Sequence, residues 1–295
     1  MAQPGGQSPV IGITLGDAAG IGPEVIRAAL ESPLLDRRFL FRILGDPAAA
    51  TPGKPTPATA RNAIAALDQA ARLALSGDIA AVVTGPIHKA RMQAEGFPFP
   101  GQTEFFADRW RAPDFAMLLT GGALTVALVT AHIPIIDVPA AVTTPGIVRV
   151  GRLLAAFLRL RSGAVPRIAV AGLNPHAGED GLLGTEEIHV IAPAVAQLAA
   201  LDIARWTGPL SPDTVFHRAA GGEFDAVLCM YHDQGLIPLK LHAFDQGVNV
   251  TLGLPHIRTS PDHGTAFDIA GAGRASPSSM IAAINLAAEL LAARA

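Results

Sequence analysis

The chain has 295 residues, half of them hydrophobic and 16% charged, with a formal net charge of −3. That length supports a substantial core in one large or two medium domains. No run of Lys and Arg forms a basic stripe, which excludes nucleic acid or an anionic membrane as the expected partner.

The first ten residues carry neither a positive n-region nor a long apolar stretch, so no signal peptide is expected. Residues 8–16, SPVIGITLG, predict a short buried strand. A helix is predicted over 20–32, with Pro23 near its first position and Glu24 in its first turn, both suited to a helix N-terminus. A second strand is read over 39–46, followed by a loop rich in Pro, Thr and Ala over 48–60. Residues 60–77 predict an amphipathic helix stopped by Gly77, and 78–87 a third strand ending in Thr-Gly-Pro.

Residues 115–136 carry no Asp, Glu, Lys or Arg and have the length of a membrane span. Gly121-Gly122 divides them into two runs of strand length, and a Gly-Gly pair suits a hairpin turn, so two buried strands are predicted instead. Helices are expected over 144–161 and 191–203, and strands at the start of 167–180, over 224–234 and over 248–255. The closing helix is expected over 276–294, with a Ser cap before it. Strands alternating with helices predict an α/β fold. The single cysteine, Cys229, sits in an apolar run and reads as a buried small hydrophobe in a reducing, cytoplasmic compartment.

Polar residues gather where strands are predicted to end: Asp17, Thr84, His132, Asn174 to His176, and His232-Asp233. Ligands of open α/β sheets bind outside the carboxyl ends of strands. His132, His176 and His232 each follow an apolar run with Gly or Pro close by. Singly, each reads as a hydrogen-bonded loop histidine. The same placement three times argues for a shared metal site, because neutral imidazole is the commonest ligand and three leave a position open. Asp17, Asp213 and Asp233 are acid/base or ring-orienting candidates; Asp213, in SPDT, also suits a plain turn or cap.

Gln102 and Thr103 precede an apolar-rich helix and read as caps or as donors to a ligand. Lys240, Asn249 and Arg258 run as a polar series through apolar sequence. A cation there meets either a structural carboxylate or a bound carboxylate or phosphate. The turn over 16–24, GDAAGIGPE, lacks the G-x-G-x-x-G spacing; it reads as a tight turn or as an anion-holding helix start. His263, Gly264, Thr265 and Ala266 form a turn whose backbone could approach a nucleotide closely, or a simple loop.

GDAAGIGPE, TGPIHK, GQTEFF, GLNPHAGE, GTEE, GPLSPDT, MYHDQGLIPLK and GVNVTLGLPHIRTSPDHGTAFDIAG occur in that order. Together they resemble the 4-hydroxythreonine-4-phosphate dehydrogenase family of pyridoxal phosphate biosynthesis, from about Ile11 to the C-terminus. The resemblance implies an isocitrate/isopropylmalate dehydrogenase-like α/β/α fold of two lobes with a cleft between them. The first lobe is expected over 1–97 and 269–295, the second over 98–268. HGTAFDIAG also looks like the cofactor loop of isopropylmalate dehydrogenases, which points to NAD or NADP at His263, Gly264, Thr265 and Ala266.

Carried over by motif, the family's metal ligands fall on His132, His176 and His232, and its substrate-binding residues on Gln102, Thr103, Lys240, Asn249 and Arg258. The resemblance implies a homodimer whose active site draws on both subunits, so that His232 serves the partner's metal. The metal is left as Zn²⁺, Co²⁺ or Mg²⁺, and the proton relay as Asp213 or Asp233. The implied reaction is NAD-linked oxidation of a phosphorylated β-hydroxy acid followed by loss of CO₂. Alternatives are a phosphorylated threonate, a cis-dihydrodiol carboxylate, or, in another class, phosphate acyl transfer. The chain departs from the family at Gln102, where His is usual, at Ala18, where Pro is usual, and in a shorter segment after Asp46. Gln102 keeps hydrogen-bonding capacity but removes a titratable charge.

Overall fold

Glycine and proline set the boundaries of nearly every element in the structure, a computed structural model that describes residues 8–294. The expectation about a signal peptide falls on the first residues and lies outside the described ones. β1 (Val10–Thr14) leads through a Gly-rich turn into α1 (Gly22–Glu31), which has Pro at its start and Glu24 in its first turn. β2 (Leu40–Leu44) precedes α2 (Pro57–Ser76). Thr56 caps α2: its Oγ1 accepts the Thr59 N–H at 3.3 Å, and Thr59 Oγ1 accepts the Thr56 N–H at 3.2 Å. The helix stops at Gly77, as its sequence predicts. Its buried face is nearly all alanine, from Ala60 through Ala63, Ala66, Ala70 and Ala74, at helical spacing that lets the backbone approach its neighbours closely. β3 (Ala81–Thr84) follows, then the short α3 (Lys89–Ala94) and α4 (Gln102–Arg109).

β4 (Ala116–Gly121) and β5 (Leu124–Leu128) form the antiparallel hairpin expected from residues 115–136, with Gly121 opposite Leu124. The turn is Gly122 and Ala123, one residue later than the Gly-Gly pair suggests, and Gly122 has φ 55°. Among the described residues no single helix is long and apolar enough to cross a membrane. After the short α5 (Val138–Ala141) comes α6 (Thr144–Ser162), capped by Thr143 and ended by Gly163. β6 (Arg167–Ala171), α7 (Ala192–Ala199), β7 (Arg205–Leu210), α8 (Pro212–Ala220), β8 (Ala226–Cys229), α9 (His232–Ala243) and β9 (Val248–Leu252) follow. β10 (Ile257–Pro261) and α10 (Ser278–Arg294) close the chain.

These elements form two units, one of residues up to Pro113 together with those from Leu254, the other Asp114–Gly253. In the first, parallel strands run in the order β2, β1, β3, β10. In the second the order is β9, β4, β5, β8, β6, β7. There β4 is antiparallel to β9 and β5, while β5, β8, β6 and β7 are mutually parallel. Every residue of β5 and β8 is buried, the continuous apolar pattern of strands covered on both faces.

The division falls at residues 113/114 and 253/254, where the sequence suggests 97/98 and 268/269. The physical reason is packing: Trp110 Nε1 donates to the Ala71 carbonyl at 3.2 Å, and Arg109 pairs with Asp68 at 3.0 Å, which ties α4 to α2. β10 pairs with β3, so it too belongs to the first unit. The predicted strand over 224–234 stops at Cys229, and His232 opens a helix. Gly235 and Pro238 hide that helix from periodicity. β7, α8 and β10 also lack the apolar runs by which the other elements announce themselves.

Thr56→Ala removes one N-terminal acceptor of a twenty-residue helix. It is expected to lower unfolding stability by about 1 kcal/mol, read from the midpoint of a urea titration; an unshifted midpoint would show that the cap is idle.

Candidate active site

His132, His232 and His176 lie just past the carboxyl ends of β5, β8 and β6, three adjacent parallel strands. Asp213 follows the next strand, β7, in the first turn of α8. The alternation of apolar run and polar residue therefore maps onto one sheet edge, where α/β folds bind ligands.

Neighbouring strands bring His132 and His232 together, with ring centroids 5.4 Å apart and planes tilted by 42°. Both line an open hollow shared with Thr130, Tyr231 and Asp233. His132 holds φ 53°, a left-handed conformation uncommon for a residue with a side chain. His232 Nδ1 lies 2.6 Å from Asp233 Oδ1. An ionised carboxylate only accepts, so Nδ1 is the donor in this contact and Nε2 is the nitrogen turned away from Asp233. That is the arrangement by which a carboxylate orients a metal-ligating imidazole.

His176 stands in a different hollow, with Glu179, Asp180, Glu187 and Pro209. Among the described residues no group of three or more His, Cys, Asp or Glu side chains is close enough to hold a metal ion within one chain. One chain thus pairs two of the three imidazoles and keeps the third apart. The donor set itself suits Zn²⁺ or Co²⁺, with one ring already oriented through its carboxylate.

Asp213 Oδ1 accepts the Ser211 hydroxyl at 2.6 Å. That hydrogen bond, aided by the field of His176, holds its carboxyl below the usual carboxylate range despite some desolvation. Asp213 is therefore an anion at neutral pH and a weak proton acceptor. Asp233, exposed beyond its contact with His232, is engaged in orienting that ring. Cys229 is buried at the end of β8, where desolvation pushes its thiol well up; it is a packing residue, as the sequence suggests.

The first unit carries a cationic centre. Arg258, 4% exposed within β10, donates through Nη2 to Thr84 Oγ1 at 2.6 Å and to Gln102 Oε1 at 2.9 Å. Burial pushes its guanidinium down to about 10, partly offset by Glu104, so it is still a cation at neutral pH. Gln102 Nε2 donates to the Gly85 carbonyl at 3.0 Å, so its amide bridges the end of β3 to Arg258. The expected capping role of Gln102 is not taken up: Gly101 is the N-cap of α4, and Gln102 is the first helical residue. Thr103 is buried beside it. Lys240, on α9, and Asn249, on β9, belong to the second unit; Asn249 Oδ1 is buried there without a hydrogen-bond partner.

The loop of His263, Gly264, Thr265 and Ala266 follows β10 and lies against the turn that opens α1. The Ile21 N–H donates to the Thr265 carbonyl at 2.9 Å, and the Gly271 N–H to Glu24 Oε2 at 3.0 Å. A Cβ at Gly264 would meet nothing within 4 Å, which leaves its backbone open to a ligand. This pinned but accessible backbone is one that could hold a cofactor. Asp17 is taken up by the same turn, where Oδ1 accepts the Ala19 N–H at 3.1 Å.

Two buried residues escape a reading based on apolar runs. Gln234 Oε1 accepts the Met230 N–H at 2.7 Å, and its Nε2 donates to the Gly172 carbonyl at 2.7 Å. It joins the segment before His232 to the segment before His176. Glu187 grips the latter segment from the other side. Both fall inside recognisable motifs, YHDQG and GTEE, which was the available signal.

Residues 29–287 match the sequence model of the family described as pyridoxal phosphate biosynthetic protein PdxA. A 4-hydroxythreonine-4-phosphate dehydrogenase of Desulforapulum autotrophicum is 46% identical, covering 95% of this chain and 95% of its own. The crystal structure of a 4-hydroxythreonine-4-phosphate dehydrogenase from Klebsiella pneumoniae superposes with a TM-score of 0.85 at 38% identity, covering 97% of this chain and 99% of that one. A terephthalate 1,2-cis-dihydrodiol dehydrogenase from Burkholderia xenovorans gives 0.69 at 28% identity, covering 96% and 98%. Likeness in fold alone extends to an isocitrate dehydrogenase from Methylococcus capsulatus, with a TM-score of 0.54 and 16% identity, covering 97% and 88%.

Gln102→Leu strips both hydrogen bonds of the bridge and leaves the Gly85 carbonyl unpaired. The expected cost is about 1–3 kcal/mol of unfolding free energy, measured in urea; a change within error would mean that the bridge contributes nothing.

Proposed function

The chain belongs to the PdxA family of pyridoxal phosphate biosynthetic proteins, and from that membership we propose that it is the dehydrogenase that oxidises 4-phosphohydroxy-L-threonine. The product, after loss of CO₂, is 3-amino-2-oxopropyl phosphate. The observation that carries this reading is likeness over nearly the whole length of both chains.

In this reading Arg258, with Gln102, Thr103, Lys240 and Asn249, receives the phosphate and carboxylate ends of the substrate. Thr84 and Gln102 hold Nη2 of that guanidinium in place, which fixes the position of a cation whose planar group suits oxyanion recognition. His132, His176 and His232 are the groups that would hold a divalent cation, Zn²⁺, Co²⁺ or Mg²⁺, and the loop from His263 to Ala266 would hold NAD or NADP. A cation held there would supply Lewis acidity toward the substrate hydroxyl, and a nicotinamide held by the loop would supply the hydride acceptor. Asp233 keeps the His232 ring in one tautomer. Asp213 is an anion at neutral pH and serves to attract the hydroxyl proton electrostatically rather than to store it.

The separation of His176 from the His132 and His232 pair within one chain favours a centre completed by a second copy. α9 and the turn after it offer apolar side chains for that copy: Ile237 and Leu241, one helical turn apart, are 65% and 89% exposed, and Phe244, just past the helix, is 74% exposed. A buried single thiol and the absence of any expected disulfide suit the cytoplasm. A second reading, oxidation of a cis-dihydrodiol carboxylate, is favoured by the likeness to the terephthalate dihydrodiol enzyme and by the uncharged Gln102.

The test is steady-state NADH production by chelator-treated enzyme, with Zn²⁺, Co²⁺ or Mg²⁺ restored singly, against 4-phosphohydroxy-L-threonine and a panel of dihydrodiol carboxylates. Turnover of the phosphorylated amino acid, lost in His176→Ala, is expected. Full turnover by that variant, or activity confined to the dihydrodiols, would overturn the assignment.

A further inference from the structure

Glu187 is an acid 3% exposed, in the wide helical turn Glu187–Ile191 that enters α7. Its Oε1 accepts the backbone N–H groups of Leu173 at 2.6 Å and Asn174 at 2.7 Å. Its Oε2 accepts Asn174 Nδ2 at 2.9 Å, and the same amide nitrogen donates to Glu186 Oε2 at 2.7 Å. The Asn174 contact holds the Glu186 carboxyl below the usual range. Two acids from a single motif thus grip the residues just before Pro175 and His176.

The chain beyond that grip follows an unusual path. Residues 176–180 all lie in the left-handed region, with φ of 51°, 53°, 84°, 44° and 54°. Four of the five carry side chains, and each costs about 1–2 kcal/mol in that conformation. Such a turn persists only where its surroundings over-determine it. A Cβ at Gly184 would stand 2.2 Å from Asn174 Nδ2, so the motif also needs glycine there to let Asn174 reach both acids.

We propose that Glu187 is a positioning residue whose buried carboxylate fixes the root of this left-handed turn and thereby presents His176 for function. Three N–H donors converge on one side chain, and only a carboxylate accepts on both of its oxygens. A glutamine there would face the Asn174 amide with its own N–H groups. The inference rests on the reading of His176 as a metal ligand, and it acts through the backbone rather than on the substrate.

The test compares wild type, Glu187→Gln, Glu187→Ala and His176→Ala as full chains. Three quantities are read: hydrogen exchange over residues 173–181, the affinity of chelator-treated enzyme for Co²⁺ alone, and kcat with KM. Glu187→Gln is expected to speed exchange in that segment about tenfold or more, as loss of one charged hydrogen bond implies. Co²⁺ affinity should fall about tenfold to a hundredfold, the usual effect of removing a group that orients a ligand. kcat should fall with it, while KM for the phosphorylated substrate stays put. Glu187→Ala should exaggerate all three, and the isosteric Gln variant carries the test should Ala fail to fold. Unchanged exchange in both variants, or faster exchange with wild-type Co²⁺ affinity and kcat, would overturn the proposal. Wild-type Co²⁺ affinity in His176→Ala would instead overturn the metal reading of that histidine. The role of Glu187 is then decided by exchange and kcat together.

Discussion

Where a parallel strand stops, its last amide and carbonyl groups point into protein with no neighbouring strand to receive them, and an unpaired group there costs about 1–3 kcal/mol. The molecule meets this constraint with long polar side chains. Gln234 receives the amide of Met230 past β8 and donates to the carbonyl of Gly172 past β6. Gln102 does the equivalent for Gly85 past β3. Glu187 receives the amides of Leu173 and Asn174. Because these partners are side chains rather than further strand, the backbone leaves the sheet abruptly at defined points, and the residues placed there are the histidines, aspartates and threonines of the site.

The two units solve the problem with different charge. In the first, the bridging amide also receives a buried guanidinium, so the strand ends are tied to a fixed cation. In the second, bridging amide and buried carboxylate anchor the backbone that carries imidazoles, one of which is also held through its ring nitrogen by a carboxylate. The first arrangement places a cation that can recognise negative charge, and the second places nitrogen donors of the borderline kind that suit Zn²⁺ or Co²⁺.

The cost of the second arrangement is visible in the backbone. His132 and His176 both sit at positive φ, and the latter begins a five-residue left-handed run. Strain of this kind concentrates where a side chain must be aimed. The aiming groups are one layer further out, Glu187 in the turn that enters α7 and Gln234 in α9, and both are buried in the body of the unit.

Strand ends and the polar residues after them were legible in the sequence because a buried parallel strand must be a continuous apolar run, and the first polar residue marks its end. His132, His176, His232 and Thr84 were found in that way, and the β4–β5 hairpin by its glycines. What the sequence alone did not determine was which polar side chains turn inward. Gln102 read as a cap or as a donor to a ligand, Gln234 fell at the end of a predicted strand, and Glu187 lay outside every predicted helix, because their hydrogen-bond partners are remote or lie across a loop. Arg258 read as one of a polar series, but only pairing with β3 buries it beside Thr84 and Gln102. Periodicity reports which face a residue lies on; which donor meets which acceptor depends on strand order and on the path of loops, and those were decided by the packing of the whole chain.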